Sequence, residues 1–135
     1  MDVATLQKTL DGIVAEYVAR LKLRVEAIGD EGVTLSLPVQ PEMVHAGGVM
    51  CGQTIMAAAD TAMLAAMIAK IGEFKPMTTV QLQTSFLRPV PKDLASVSVR
   101  ATVLRFGKTL SYGEVGFLAA DGKIAAHATT TYSLI

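Results

Sequence analysis

The strongest constraint on this chain is an almost uninterrupted apolar run that carries one charge near its middle. From Cys51 to Ala69 the sequence reads CGQTIMAAADTAMLAAMIA, and Asp60 is its only ionisable side chain apart from Cys51. A carboxylate in such surroundings costs several kcal/mol unless it is paired, solvated or protonated. Either a neighbouring backbone group or an interface satisfies it, or it is kept for chemistry, since perturbed carboxylates cluster at functional sites. The run is long enough to raise the question of a membrane span. A central Asp with Thr54 and Thr61 nearby is costly in lipid, and the Ala-rich composition is only moderately hydropathic. The run therefore reads as a helix buried on nearly all sides, inside a curled sheet or at an oligomer interface.

The 135 residues suffice for a hydrophobic core and are read as one domain, 1–135. Twelve Lys and Arg balance twelve Asp and Glu, so the chain lacks the basic footprint of a nucleic-acid binder. It also lacks a polybasic segment for an anionic membrane. Its single cysteine, Cys51, excludes an internal disulfide and fits a reducing compartment. The opening MDVATLQKTL is polar, without the basic flank and apolar stretch of a signal peptide. A soluble cytoplasmic protein is expected. His45, His127 and Cys51 stand at unrelated spacings, which makes no metal site. A Gly-rich phosphate loop followed by Lys is absent, so nucleotide hydrolysis has no support. No cofactor is expected.

Apolar residues at Val3, Leu6, Leu10, Ile13 and Val14 predict a first helix over residues 3–17. Leu21–Ala27 and the alternating Val33, Leu35 and Leu37 predict two strands joined at Gly29-Asp30-Glu31-Gly32, the second ended by Pro38 and Pro41. Residues 41–48 read as a loop. The central helix runs from about Gly52 to Ile71 and stops near Gly72. Strands follow over Met77–Leu87, Leu94–Arg105, Thr109–Ala119 and Lys123–Leu134, in what reads as an antiparallel meander. The economical arrangement is an α+β domain with one curled antiparallel sheet of five to six strands around the long helix.

Gly52 opens the central helix, and a helix start presents free N–H groups and a partial positive charge. Such an end can hold the developing oxyanion of a thioester or ester carbonyl, and a residue without a side chain lets that carbonyl come close. Asp60 lies eight residues further on, roughly 12 Å along the axis, too far for both to act on one carbonyl carbon. If they cooperate, the N–H comes from one copy and the carboxylate from another. That geometry predicts two antiparallel helices side by side in a homodimer with two equivalent sites.

The segment from His45 to Met63, HAGGVMCGQTIMAAADTAM, resembles the hotdog-fold thioesterases, specifically their phenylacetate-pathway (PaaI-like) branch. Thr78–Pro89 (TTVQLQTSFLRP) is similar to the strand that follows the helix in that family, and Ala125–Tyr132 (AAHATTTY) to its last strand. The resemblance implies an acyl-CoA thioesterase in which Asp60 attacks the thioester or activates water. It also implies that the Gly52 N–H of the opposite subunit forms the oxyanion hole. Thr79 falls where some members place a hydroxyl that orients water or the carboxylate. His45 falls where members often carry Asn or Gln. Many relatives begin the helix with His-Gly-Gly, whereas this chain has Cys51-Gly52-Gln53, so the usual imidazole is missing and His45 or the bare helix end must serve.

The resemblance further implies a homodimer or dimer of dimers, with coenzyme A present only as part of the substrate. Met50, Met56, Met63, Leu64 and Met67 would line an acyl tunnel that tolerates medium-chain or aryl groups, because methionine adapts to varied shapes. Arg88, Arg105 and Lys108 are candidates for the coenzyme A phosphates, although solvated strand ends explain them as well. Cys51 and Gln53 flank Gly52 at the entrance; for Cys51 a small buried apolar role is the simpler reading. Strand propensity accounts for Thr79 nearly as well as a catalytic role does. Two other activities fit the same resemblance: a non-catalytic acyl-CoA binder, and a dehydratase or hydratase acting on acyl thioesters. The latter usually needs a histidine beside the carboxylate, and the helix has none.

Overall fold

The computed structural model describes residues 1–135. Asp2 caps the first helix α1 (Val3–Ile13) by accepting from the Thr5 N–H at 2.8 Å. A four-residue helical turn, α2 (Glu16–Ala19), follows, so the helix expected over 3–17 breaks in two after Ile13. Strands β1 (Arg24–Ile28) and β2 (Gly32–Pro38) form a hairpin. A 3-10 turn at Pro41–Met43 leads to the long helix α3 (Gly52–Ile71), and then come β3 (Met77–Phe86), β4 (Ser96–Arg105), β5 (Leu110–Leu118) and β6 (Ile124–Leu134). Helix α3 ends as its sequence predicts. Gly72 takes the left-handed conformation (φ 93°), and its N–H returns to the Ile68 carbonyl at 2.8 Å.

All six strands form one antiparallel sheet in the order β1-β2-β4-β5-β6-β3. This corrects the expected meander. β4, β5 and β6 follow one another, but β3 lies at the far edge beside β6 and does not touch β4. The chain leaves β2, crosses the sheet as α3, and so delivers β3 to the opposite side.

The strands alternate buried and exposed positions, as in β2 (Val33, Leu35, Leu37) and β4 (Val97, Val99, Ala101, Val103). Their inward residues close on the alanines of α3, of which Ala58, Ala59, Ala62 and Ala65 are fully buried. The long apolar helix, with a mean hydropathy of 1.5, is thus the core of a wrapped sheet. It is not buried all round. Gln53 and Met56 are exposed and Ala57, Asp60 and Leu64 half-buried, which leaves one open stripe at helical spacing.

Met63 stands only about 20° from Met56 around the helix, at the border of that stripe. It is fully buried, and a Cβ added to Gly113 on β5 would stand 2.6 Å from its sulfur and 2.6 Å from the Thr102 carbonyl oxygen. Gly113→Ala is therefore expected to destabilise the fold by about 1–3 kcal/mol, because the carbonyl cannot give way as a side chain can. Urea unfolding at fixed protein concentration measures this. An unchanged midpoint would show that the sheet relaxes at Gly113.

Candidate active site

Asp60 sits midway along α3, facing the β3–β6 pair. Two hydroxyls converge on its carboxylate: Thr79 Oγ1 donates to Oδ1 at 2.7 Å, and Tyr132 OH lies 2.7 Å from the same oxygen. The Tyr132 proton is shared between that oxygen and the Asp60 carbonyl, also at 2.7 Å. Thr79 and Tyr132 are direct cross-strand partners, so one rung of the sheet delivers both donors to one carboxylate oxygen. The rung ends at a bulge, where the register shifts between Thr79 and Gln81. Bulges of this kind re-aim side chains beside functional sites. Oδ2 receives no hydrogen bond from the chain.

Tyr132 is buried, and its phenol is held well above its ordinary value of 10.0, first by burial and then by the Asp60 carboxylate. It stays a donor throughout the neutral range. Sequence analysis missed it. The available signal was a lone aromatic at the end of the Thr-rich Thr129-Thr-Thr-Tyr132 run.

Gly52 occupies the first helical position after Cys51, and no side chain caps the helix. The N–H groups of Gly52, Gln53 and Thr54 meet no acceptor within the chain. The helix start is nevertheless fixed, because Cys51 N–H donates to the Met43 carbonyl and Met50 N–H to the Val90 carbonyl, both at 2.8 Å. Cys51 is half-buried with its sulfur 3.2 Å from Thr54 Oγ1. A groove of about 380 Å³ opens at this end, bordered by His45, Met50, Gly52, Phe86 and Arg88 among others. Arg88 is anchored at its rim by an Nη1–H bond to the Ile124 carbonyl at 2.9 Å. On the other side of the helix start, Gln53 borders a second cleft of about 230 Å³ with Tyr17, Arg20, Met43 and Thr54.

The remaining expected residues separate. Met56, 40% exposed, and half-buried Leu64 share the open stripe with Asp60. Met63 and Met67 are fully buried under the sheet, so the expected tunnel lining reduces to Met56 and Leu64, with Met50 in the groove. Arg105 and Lys108 lie at the β4–β5 turn, at the end of the sheet where β3 begins, whereas Arg88 follows the end of β3. One chain does not bring the three cations together. His127 pairs loosely with Glu114, 3.8 Å away. No cluster of three or more metal-ligating side chains is present.

Residues 47–126 match the family model of the thioesterase superfamily. The chain belongs to that superfamily. A relative in Saccharolobus solfataricus, provisionally named an esterase, is 32% identical over 102 residues, covering 75% of this chain and 70% of the relative. Among solved structures, thioesterase HI1161 from Haemophilus influenzae superposes with a TM-score of 0.87 at 22% identity, over 100% of this chain and 91% of that one. The Escherichia coli PaaI protein from the phenylacetic acid degradation operon gives 0.82 at 15% identity, over 98% and 95%. The wrapped helix and six-stranded sheet of this thioesterase-superfamily member are thus the hotdog fold.

The raised Tyr132 phenol has a consequence for stability. Above pH 10.0 an unfolded chain releases this proton and the folded chain keeps it. The unfolded state then binds fewer protons, and stability falls as pH rises. The expected slope is up to about 1.4 kcal/mol per pH unit from this group alone. Unfolding midpoints of wild type and Tyr132→Phe across the alkaline range should diverge there. Parallel curves would show that Tyr132 ionises as freely in the fold as outside it.

Proposed function

We propose that this protein is an acyl-CoA thioesterase of the PaaI-like branch that works as a homodimer in the cytoplasm. Each site would combine Asp60 of one subunit with the Gly52 N–H of the partner subunit. The observation that carries this reading is the Asp60 carboxylate, held at Oδ1 by two hydroxyls with Oδ2 unbonded, on the open stripe of an apolar helix.

The edge strand supports the composite arrangement. β3 carries no charged residue (MTTVQLQTSF) and leaves Val80 and Phe86 more than half exposed. A long uncharged edge of this kind invites pairing with another strand. Within one chain Asp60 bonds to Thr79 near the start of β3. Gly52 packs against Phe86 at its end, a Cβ there standing 3.2 Å from the ring. Antiparallel pairing of β3 with its own copy, about a two-fold axis between Leu82 and Gln83, sets Thr79 opposite Phe86 of the partner subunit. Asp60 then comes to the partner's Gly52. The stripe of Met56, Asp60 and Leu64 meets its copy across the same axis.

In this reading the helix-start N–H groups polarise the thioester carbonyl and take up the negative charge as the tetrahedral intermediate forms. Oδ2 of Asp60 either attacks the carbonyl carbon or takes a proton from the water that does. In both routes coenzyme A leaves as thiolate, and water supplies the oxygen that ends in the free acid. Thr79 and Tyr132 keep the carboxylate oriented and hydrogen-bonded. Met56 and Leu64 offer the acyl group a flexible apolar wall. Medium-chain and aryl acyl groups are the expected substrates, coenzyme A is needed only as the leaving group, and two dimers associate into a tetramer.

Free-thiol release from a panel of aryl- and fatty-acyl-CoA esters tests the activity. Asp60→Asn is expected to lower turnover at least about 10³-fold with the dimer intact, as loss of a nucleophile or its base does. Unchanged turnover would remove Asp60 from the mechanism, and a folded protein inactive across the panel would favour a binder.

Subunit mixing tests the composite site. Gly52→Pro removes one N–H at a helix position that accepts proline, and Cys51 before it already has the extended backbone that proline requires (ψ 151°). Each variant alone should be nearly inactive. A re-equilibrated equal mixture of Asp60→Asn and Gly52→Pro should regain about a quarter of wild-type activity, because half the dimers carry one intact site of two. A mixture no more active than its parts would place both groups in one subunit.

A further inference from the structure

Of the side chains around the Gly52 groove, only His45 and Arg88 carry N–H donors, and Arg88 commits one of its own to the Ile124 carbonyl. His45 is held unusually well for an exposed loop histidine. It opens a tight hairpin in which its N–H donates to the Val49 carbonyl at 3.1 Å and its carbonyl accepts from Gly48 N–H at 2.9 Å. Gly48 takes the left-handed conformation (φ 81°) that completes a three-residue loop. The hairpin continues through the Val44–Met50 bridge, and Lys92 N–H ties Gly48 to the neighbouring segment at 3.0 Å. His45 is therefore fixed relative to the helix start by main-chain bonds.

The imidazole itself is fixed by Gly47, whose backbone N–H donates to Nδ1 at 2.8 Å. A nitrogen that accepts this bond carries no proton, so the neutral ring holds its proton on Nε2. The ring also lies directly against Gly47: a Cβ there would stand 2.6 Å from ring Cε1 and 3.0 Å from Nδ1. Any side chain at position 47 would push the imidazole away.

We propose that Gly47 is a positioning residue that locks His45 in the tautomer with Nε2–H as its only ring donor, and that this donor joins the Gly52 N–H in polarising the carbonyl of the bound acyl thioester. The inference rests on the proposed thioesterase site and names its second electrophilic group. It also accounts for the site's having no donor side chain at Cys51, whose sulfur is turned to Thr54.

A long-range proton–nitrogen correlation spectrum of the wild-type protein, with His45→Gln to assign the signals, reads the tautomer without any substrate. The expected result is Nδ1 in the unprotonated range and Nε2 protonated. A protonated Nδ1, or an averaged mixture of tautomers, overturns the lock. In kinetics, His45→Ala should lower kcat about 10²-fold, at the lower end of the range lost when an oxyanion donor is removed, with KM little changed. His45→Gln, which keeps an N–H donor, should lose less.

Gly47→Ala should fall towards His45→Ala in the wild-type background and cost almost nothing further in the His45→Gln background. An equal cost in both backgrounds would show that Gly47 only shapes the loop, and wild-type turnover in His45→Ala would end the donor role. If no acyl thioester is hydrolysed by any variant, the thioesterase reading and the donor role fail together, while the wild-type spectrum still decides the tautomer.

Discussion

The structure turns on how one carboxylate is tolerated in an apolar helix. Burying the Asp60 carboxylate without compensation would cost several kcal/mol, a large share of a domain's stability. The compensation comes from the sheet: Thr79 and Tyr132, neighbours on one rung of β3 and β6, both reach Oδ1. Several features of the fold serve that rung. Helix α3 must cross the sheet so that β3 lands beside β6 and not beside β4. The bulge after Thr79 lets the strand shift register just where its side chain has met the carboxylate. The clamp also divides the carboxylate, one oxygen being held by the fold and the other left without a hydrogen bond from the chain.

The two halves of the proposed site lie at opposite ends of β3. Asp60 belongs to the Thr79 end, and the uncapped start of α3 belongs to the Phe86 end. Eight residues of helix separate them, and the 20 residues of α3 form one continuous helix with no break that could fold one half onto the other. Each half is incomplete for acyl transfer. A carboxylate without an oxyanion site has little to drive the carbonyl towards attack, and an oxyanion site without a base or nucleophile only binds. In the proposed homodimer symmetry would resolve this, because an isologous pairing joins unlike ends by construction.

Helix α3 was legible in the sequence because its limits are set locally, by an apolar run between Gly52 and Gly72 and by a C-terminal glycine that takes the left-handed turn. Asp60 stood out for the same reason, as the one carboxylate of the apolar run, and Gly52 as the first residue of the helix, whereas His45 was singled out only through the family resemblance. The place of β3 was not legible. Strand order depends on which sheet edge the crossing helix reaches, and no run of residues encodes that. Tyr132 was missed for a related reason: it is 72 residues from Asp60, and only the pairing of β6 with β3 brings it there. The methionines misled because composition does not report facing. Met56 and Met63 are seven residues apart and differ by about 20° on an ideal helix, yet one borders the open stripe and the other is sealed against Gly113.

The two edges of the sheet show where the molecule is finished and where it is not. β1 is short, bulged between Val25 and Ala27, and lies under α1. There Gln7 accepts from the Val25 N–H at 2.7 Å and donates to the Leu23 carbonyl at 3.1 Å, so a side chain does the work of a neighbouring strand. Exposed Arg24 and Glu26 add charge to that edge. These are the devices by which sheets prevent further pairing. β3 shares only the bulge. It is twice as long and carries no charge and no proline. A chain that guards one edge and leaves the other without charge beside its only apolar-helix carboxylate fits the proposed homodimer. The proposed site lies on that side, where strand pairing with a second copy would bring the partner's helix start to Asp60.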